Sequence, residues 1–441
     1  MSRLLRILLR VILALLVIAL VAVIGGYVYA RPLLRTGTGY AAHNACAVQF
    51  ISGRTAPETD LPDNPLVPYL RTYSDFARKD SETAIMGVLS KQYAWYTKGF
   101  GCTVGEQAPA LGEPTAVTAA GNPFTEPAAP TMNTTAYKAP VATAMKAPGT
   151  RAIVVIKNGQ LVAESYAEGF TASTPQLGWS MAKSVTNLLL GRRVLAGSIK
   201  ITDDHLRPEW TDDRAKITID DLSRMQSGLT WNEEYDLGTP ITEMLYSQPD
   251  MAAFAAGQPL AHQPGSYQQY SSGSTNILCD QLTAGSENPA DLPRKEIFAP
   301  LGLSSAVWEP DGAGNPVCSS YLWATPRDWA AIGQFALQDG TWNGQRLIPE
   351  GWMKQATTAL PVEKSEEQGY AAGWWVNRQA NGTLVDPALP ADAYWASGHD
   401  GQRVYVVPSA DLVVVRLGFS PGVSADALGT APLVAALAAL R

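Results

Sequence analysis

Histidine and cysteine are scarce in this chain of 441 residues, four of each, and neither is spaced as a metal site. No CxxC and no HExxH occurs, and His43, His205, His262 and His399 lie far apart, so a zinc centre is not expected. Clustered basic residues are missing too. The formal charge is -7, and no Lys/Arg stripe follows the first residues, which excludes the phosphate-neutralising surface a nucleic-acid binder needs. Internal repeats and long single-residue tracts are absent, and the 46% hydrophobic content is that of a globular protein able to bury a large core.

One long apolar run is present. Val11 to Ala30 carries no charge and has the length a helix needs to cross a bilayer core. Arg3, Arg6 and Arg10 precede it, against Arg31 and Arg35 after it, a bias that leaves the N-terminus in the cytoplasm and the rest outside. A cleavable signal competes, since Val28 and Ala30 have the small-residue spacing of a cleavage site, but the length of the run favours an uncleaved anchor. The expected location is therefore a membrane-anchored protein with an extracytoplasmic (periplasmic) catalytic domain. Export would let Cys46 pair with Cys102 and Cys279 with Cys318.

The chain divides into a stub and anchor over 1–30, an N-terminal extension over 31–105, a linker over 106–150 and a catalytic domain over 151–441. In the extension, Ser81 to Trp95 reads as a helix. The linker is dense in Pro, Ala, Thr and Gly and is expected to wrap the surface as extended chain. Beyond it, Ala152–Ile156 and Gln160–Tyr166 flank Asn158-Gly159, a hairpin signal. Trp179 to Leu195 is spaced as a helix with one buried face, and Thr218 with Asp221 marks another helix start. Three strands are expected at Ala393–Gly398, Arg403–Val407 and Leu412–Leu417, then an Ala-rich helix over Ser424–Leu440. Strands at both ends of a domain with helices between predict an α+β fold: an antiparallel sheet flanked by helices, with a helical subdomain and the N-terminal transmembrane helix.

Three segments carry chemistry. Ser180 and Lys183 in SMAK stand one turn apart at a helix start, where the amine can take the proton of the hydroxyl if desolvation lowers its pKa. Tyr270, in YSS with Ser271 and Ser272, lies in a Gly/Ser-rich loop that can aim a phenol into a cleft as a proton relay. WASGHDGQ, Trp395 to Gln402, turns between two late strands, where a backbone N–H can join that of Ser180 in an oxyanion hole. Trp179, Tyr321, Trp374, Trp375 and Tyr394 are candidates for an aromatic lining.

With ITIDDLSRMQSGLTW, LWATPRDWAAIGQFALQDGTWNGQ and GHDGQRVYVVP, these motifs over Ala152 to Arg441 resemble the serine β-lactamase-like superfamily. That group holds penicillin-binding proteins, class C β-lactamases, related esterases and 6-aminohexanoate-dimer (nylon-oligomer) hydrolases, and the last branch is the most similar. The resemblance implies Ser180 as acylated nucleophile, Lys183 as base and Tyr270 as proton shuttle, with no cofactor and a small amide or ester substrate. Ser272 stands where class C enzymes carry the Asn that contacts substrate, which makes it, with Gly398, a candidate substrate-binding residue, and the usual Lys-Thr-Gly is absent. If Ala396-Ser397-Gly398 takes its place, His399 lends the second oxyanion N–H; if His399-Asp400-Gly401 does, Gln402 lends it. A peptidoglycan-directed D,D-carboxypeptidase or β-lactamase is the alternative, disfavoured by the missing lysine. A catalytically idle binding protein on the same scaffold is the alternative of another class.

Overall fold

Apolar residues at 3.6-residue spacing give way, past Ala30, to small ones, and the helix they form does not stop where the apolar run ends. The computed structural model describes residues 3–61, 65–125, 134–367 and 369–440, and in it α1 runs unbroken over Arg3–Phe50, through Pro32. Its apolar first part has a mean hydropathy of 3.2 and buries none of its residues, and α1 is the one helix among the described residues long and apolar enough to cross a membrane. Thr36 to Val48, by contrast, is almost entirely buried against the rest of the protein. Small side chains permit that approach: a Cβ on Gly39 would come within 2.1 Å of the Tyr246 carbonyl.

The helix expected over Ser81 to Trp95 is instead a hairpin, β2 (Asp80–Ile85) and β3 (Leu89–Thr97), within a four-stranded antiparallel sheet completed by β1 (Leu70–Asp75) and β4 (Gly101–Val104). The inward face of β3 is Ser90, Gln92 and Ala94, all buried, so the period-2 alternation carries little hydrophobic signal. This sheet lies along the second half of α1, and Cys46–Cys102 joins the two. Glu309 ties both to the body: fully buried, it accepts from Trp323 Nε1 at 2.8 Å and Cys102 N at 2.8 Å, with His43 Nε2 at 2.9 Å.

The stretch expected as linker is irregular to Thr125, with anchored points such as Thr115 on Asp291, while residues 126–133 lie outside the described residues. Its end is not extended chain. Thr134–Ala144 forms α2, whose Tyr137 and Val141 are buried, so the structured flank of the body starts earlier than residue 151.

The body is a six-stranded antiparallel sheet of β5 (Thr150–Lys157), β6 (Gln160–Tyr166), β7 (Trp375–Val376), β8 (Tyr394–Gly398), β9 (Gln402–Val407) and β10 (Leu412–Gly418). Its order is β7-β8-β9-β10-β5-β6, so the C-terminal strands close on the first hairpin. Both faces are covered. Val154, Ile156, Val413 and Val415 face the main core, while Ile153, Val155, Leu412 and Val414 face α2 and the C-terminal helix α9 (Thr430–Ala438). That is why these strands read as continuous apolar runs. Between β6 and β7 lies the helical subdomain: α3 (Met181–Leu195), α4 (Ile219–Ser223), α5 (Pro240–Ser247), α6 (Met251–Ala256), α7 (Ser272–Thr283) and α8 (Pro326–Leu337). Thr218 and Asp221 form the capping box expected of α4, and Cys279–Cys318 pins α7 to the chain before α8.

Candidate active site

Ser180 stands at the N-cap of α3, yet its side chain caps nothing. It accepts a hydrogen bond from Lys183 Nζ at 2.9 Å. The preceding residue, Trp179, has φ +49, a conformation costly for a bulky side chain, which turns the chain sharply into the helix. The turn is held from behind: Gly178 N donates to Leu322 O at 2.9 Å, and any Cβ on Gly178 would strike Trp329.

Lys183 is 3% exposed. Its three protons have three acceptors: Ser180 Oγ, Ser272 Oγ at 2.9 Å and Ser319 O at 3.1 Å. Burial lowers its pKa to about 8, against the opposing pull of Glu233. An amine so placed is neutral in a useful fraction at mild pH, as a base must be.

Ser272 was expected to contact substrate, but it is fully buried and bridges two groups of the protein. It accepts from Lys183 and donates to Glu233, which also accepts from Ser272 N at 2.9 Å and Trp231 Nε1 at 2.5 Å. Lys183, Ser272 and Glu233 thus form one buried chain. Neither Glu233 nor Ser319 was singled out from sequence. The only hint was the position of Glu233 in WNEEYD, just after the TW that closes the second matching segment.

Tyr270 reaches the same serine. Its hydroxyl lies close enough to Ser180 for the serine to temper the phenol's pKa, and its ring lies under Lys183 Nζ, 4.7 Å from the centroid. Burial, then the neighbouring Tyr370 and Glu233, push the phenol well above its ordinary pKa, so it is a proton-bearing hydroxyl at neutral pH. Trp375 stacks on it at 5.7 Å and Tyr370 meets it edge-on at 5.4 Å. Of the other aromatic candidates, Tyr321, Trp374 and Tyr394 are core residues.

β8 brings the third segment alongside. Gly398 ends that strand so close to Gly178 that a Cβ would lie 2.1 Å from the Gly178 carbonyl. Among the described residues, the backbone N–H groups of Ser180 and His399 donate to no protein acceptor. The His399 ring stacks on Tyr235 at 4.4 Å and stands edge-on to Trp179 at 5.5 Å. Gln402 begins β9, its side chain buried and locked to Gly418 by bonds of 2.6 Å and 2.9 Å. The position of Gly398 against Gly178 therefore favours the register that offers the His399 N–H. Arg403, missed from sequence, donates to Gly398 O at 3.0 Å and lies near Tyr270, a cation from the neighbouring strand beside the site.

The profile of the family described as Beta-lactamase matches residues 139–439. A 6-aminohexanoate-dimer hydrolase from Paenarthrobacter ureafaciens is 23% identical over 302 residues, covering 62% of this chain and 73% of that protein. Among solved structures, a β-lactamase/D-alanine carboxypeptidase from Yersinia pestis superposes with TM-score 0.55 at 18% identity, over 69% of this chain and 99% of that one. A family VIII carboxylesterase gives TM-score 0.52 at 15% identity, over 68% and 96%. At these identities the structural likenesses establish the fold.

Proposed function

Because the chain belongs to the beta-lactamase family of serine hydrolases, we propose that it cleaves an amide or ester bond through an acyl-enzyme on Ser180, in a domain held outside the cytoplasm by α1. The observation that carries this reading is the 2.9 Å contact between Ser180 Oγ and a desolvated Lys183 amine. Neutral Lys183 takes the hydroxyl proton as Oγ attacks the carbonyl carbon. The N–H groups of Ser180 and His399 hold the oxygen that becomes negative. Tyr270, protonated and beside Ser180, hands a proton to the leaving amine or alcohol as the bond breaks. Water then attacks the acyl carbon by the reverse proton route, which frees Ser180 and the acid.

Similarity to a 6-aminohexanoate-dimer hydrolase supports a linear amide substrate, and similarity to a carboxylesterase supports an ester. A buried Ala396 stands where a third-motif lysine would be, which argues against a β-lactam or D,D-peptide substrate. The two disulfides and the apolar first part of α1 support the extracytoplasmic placement. Rates of the purified protein on p-nitrophenyl esters, a linear amide oligomer and a chromogenic cephalosporin test the reading. Turnover of the first or second, abolished by Ser180→Ala, is expected; turnover of the cephalosporin alone would favour the lactamase alternative, and none at all the idle binder.

A further inference from the structure

α1 does more than tether the body, because the β1–β4 sheet is aligned along it. Ser90, at the start of β3, receives Thr38 Oγ on its carbonyl at 2.7 Å, and its N–H donates to the Tyr27 hydroxyl at 2.9 Å. Two residues on, Gln92 meets Arg35 at 2.6 Å; at the far end Tyr96 stacks on Phe50 at 5.4 Å. β3 therefore climbs away from the apolar part of α1, and the turn before it, Met86-Gly87-Val88, lies at the end nearest Tyr27. Tyr27 lies three residues before the end of the Val11–Ala30 run.

The turn is unusual in composition. Met86 has φ +51 and Gly87 φ +80, with Val88 N donating to Ile85 O at 3.2 Å, a tight hairpin turn whose first position ordinarily takes Asn, Asp or Gly. A methionine in the left-handed region is a poor local choice, and it is 64% exposed, with Val88 75% exposed and Leu89 and Tyr69 exposed beside them. Arg31 and Arg71 stand exposed at the same end. An apolar tip with basic neighbours, continuous with the end of a transmembrane segment, matches the boundary between headgroups and acyl chains.

We infer that the Met86–Leu89 tip dips into the outer leaflet of the membrane that α1 crosses, a second point of attachment that fixes the orientation of the body. This rests on the reading of α1 as a span. The consequence for the site follows from α1 itself. Tyr40, about 15 Å along the helix from Ala30 at 1.5 Å per residue, stacks on Tyr246 and meets Trp179, next to Ser180, edge-on. With tip and span both in the bilayer, Ser180 is held at a fixed short height above the lipid surface.

The test is lipid quenching of the full chain in phosphatidylcholine/phosphatidylglycerol vesicles containing brominated lipid. All four native cysteines lie in disulfides, so a fluorophore can be put at one introduced thiol: Val88→Cys at the tip, Val21→Cys in the span, or Phe76→Cys at the opposite end of the sheet. Val88 is exposed, so the change leaves the core alone. Expected are quenching at 88 of at least half that at 21, and none at 76. Quenching at 21 without quenching at 88 would overturn the inference and leave the anchor standing. Absence of quenching at 21 would overturn the span reading, and the inference with it.

Discussion

Replacing Glu233 with Gln should move the pH dependence of the enzyme toward acid. Glu233 raises the pKa of Lys183 by its charge, and Ser272, 2.9 Å from the amine and tightly bonded to the carboxylate, sets the distance between the two. Two unit charges about 5 Å apart, at an effective dielectric constant of about 20, interact by about 3 kcal/mol, or about two pK units. The amide of Glu233→Gln keeps the shape and an acceptor for Ser272 but removes that charge. Acylation of Ser180 by a fluorophosphonate, followed as a rate against pH, reports the neutral fraction of the base. With Lys183 at about 8, the wild-type rate should rise about tenfold from pH 7 to pH 9. In the variant the midpoint should fall to about pH 6, and the profile above pH 7 should be nearly flat. A midpoint that stayed at 8 or rose would refute the assignment of Lys183 as the titrating base under the field of Glu233.

Other consequences can be measured separately. Tyr270→Phe should lower kcat by about 10²–10⁴-fold with little change in KM, since it removes a proton carrier and keeps the ring over Lys183. Lys183→Met should abolish turnover and also change stability. An amine whose pKa is about 8 folded against its ordinary 10.5 makes the unfolded chain bind more protons between those values. Below pH 8 it therefore opposes folding by about 3 kcal/mol, and wild type should gain about that much on Lys183→Met as pH rises from 8 to 10.5 in urea unfolding curves. Glu309→Ala strands the buried donors of Trp323 and Cys102 and should cost about 3–5 kcal/mol by the same assay.

The parts of the fold that were legible are those specified locally. Asn158-Gly159 marks its hairpin because the turn needs positive φ at both residues, and both have it. Thr218 and Asp221 cap α4 with their own side chains. Ser180 and Lys183 meet because one helical turn separates them. What was misread depends on neighbours distant in sequence. β3 buries Ser90 and Gln92 because Thr38, Arg35 and Tyr246 supply their partners, which no window around Ser81 to Trp95 contains. The extension of α1 past Pro32 is stabilised by burial of Thr36–Val48 against the body, not by propensity. Ser272 looked like a substrate contact until Glu233, 39 residues away, was seen to hold its hydroxyl and amide.

The most direct test of the whole account is peptide mass spectrometry of the full chain after exposure to a fluorophosphonate at pH 8. Hydroxyl, amine and phenol gathered at one point should yield a single adduct on Ser180, lost in Ser180→Ala and reduced to background in Lys183→Met. An unmodified Ser180 in folded, disulfide-intact protein, or an adduct rate unchanged by Lys183→Met, would contradict it.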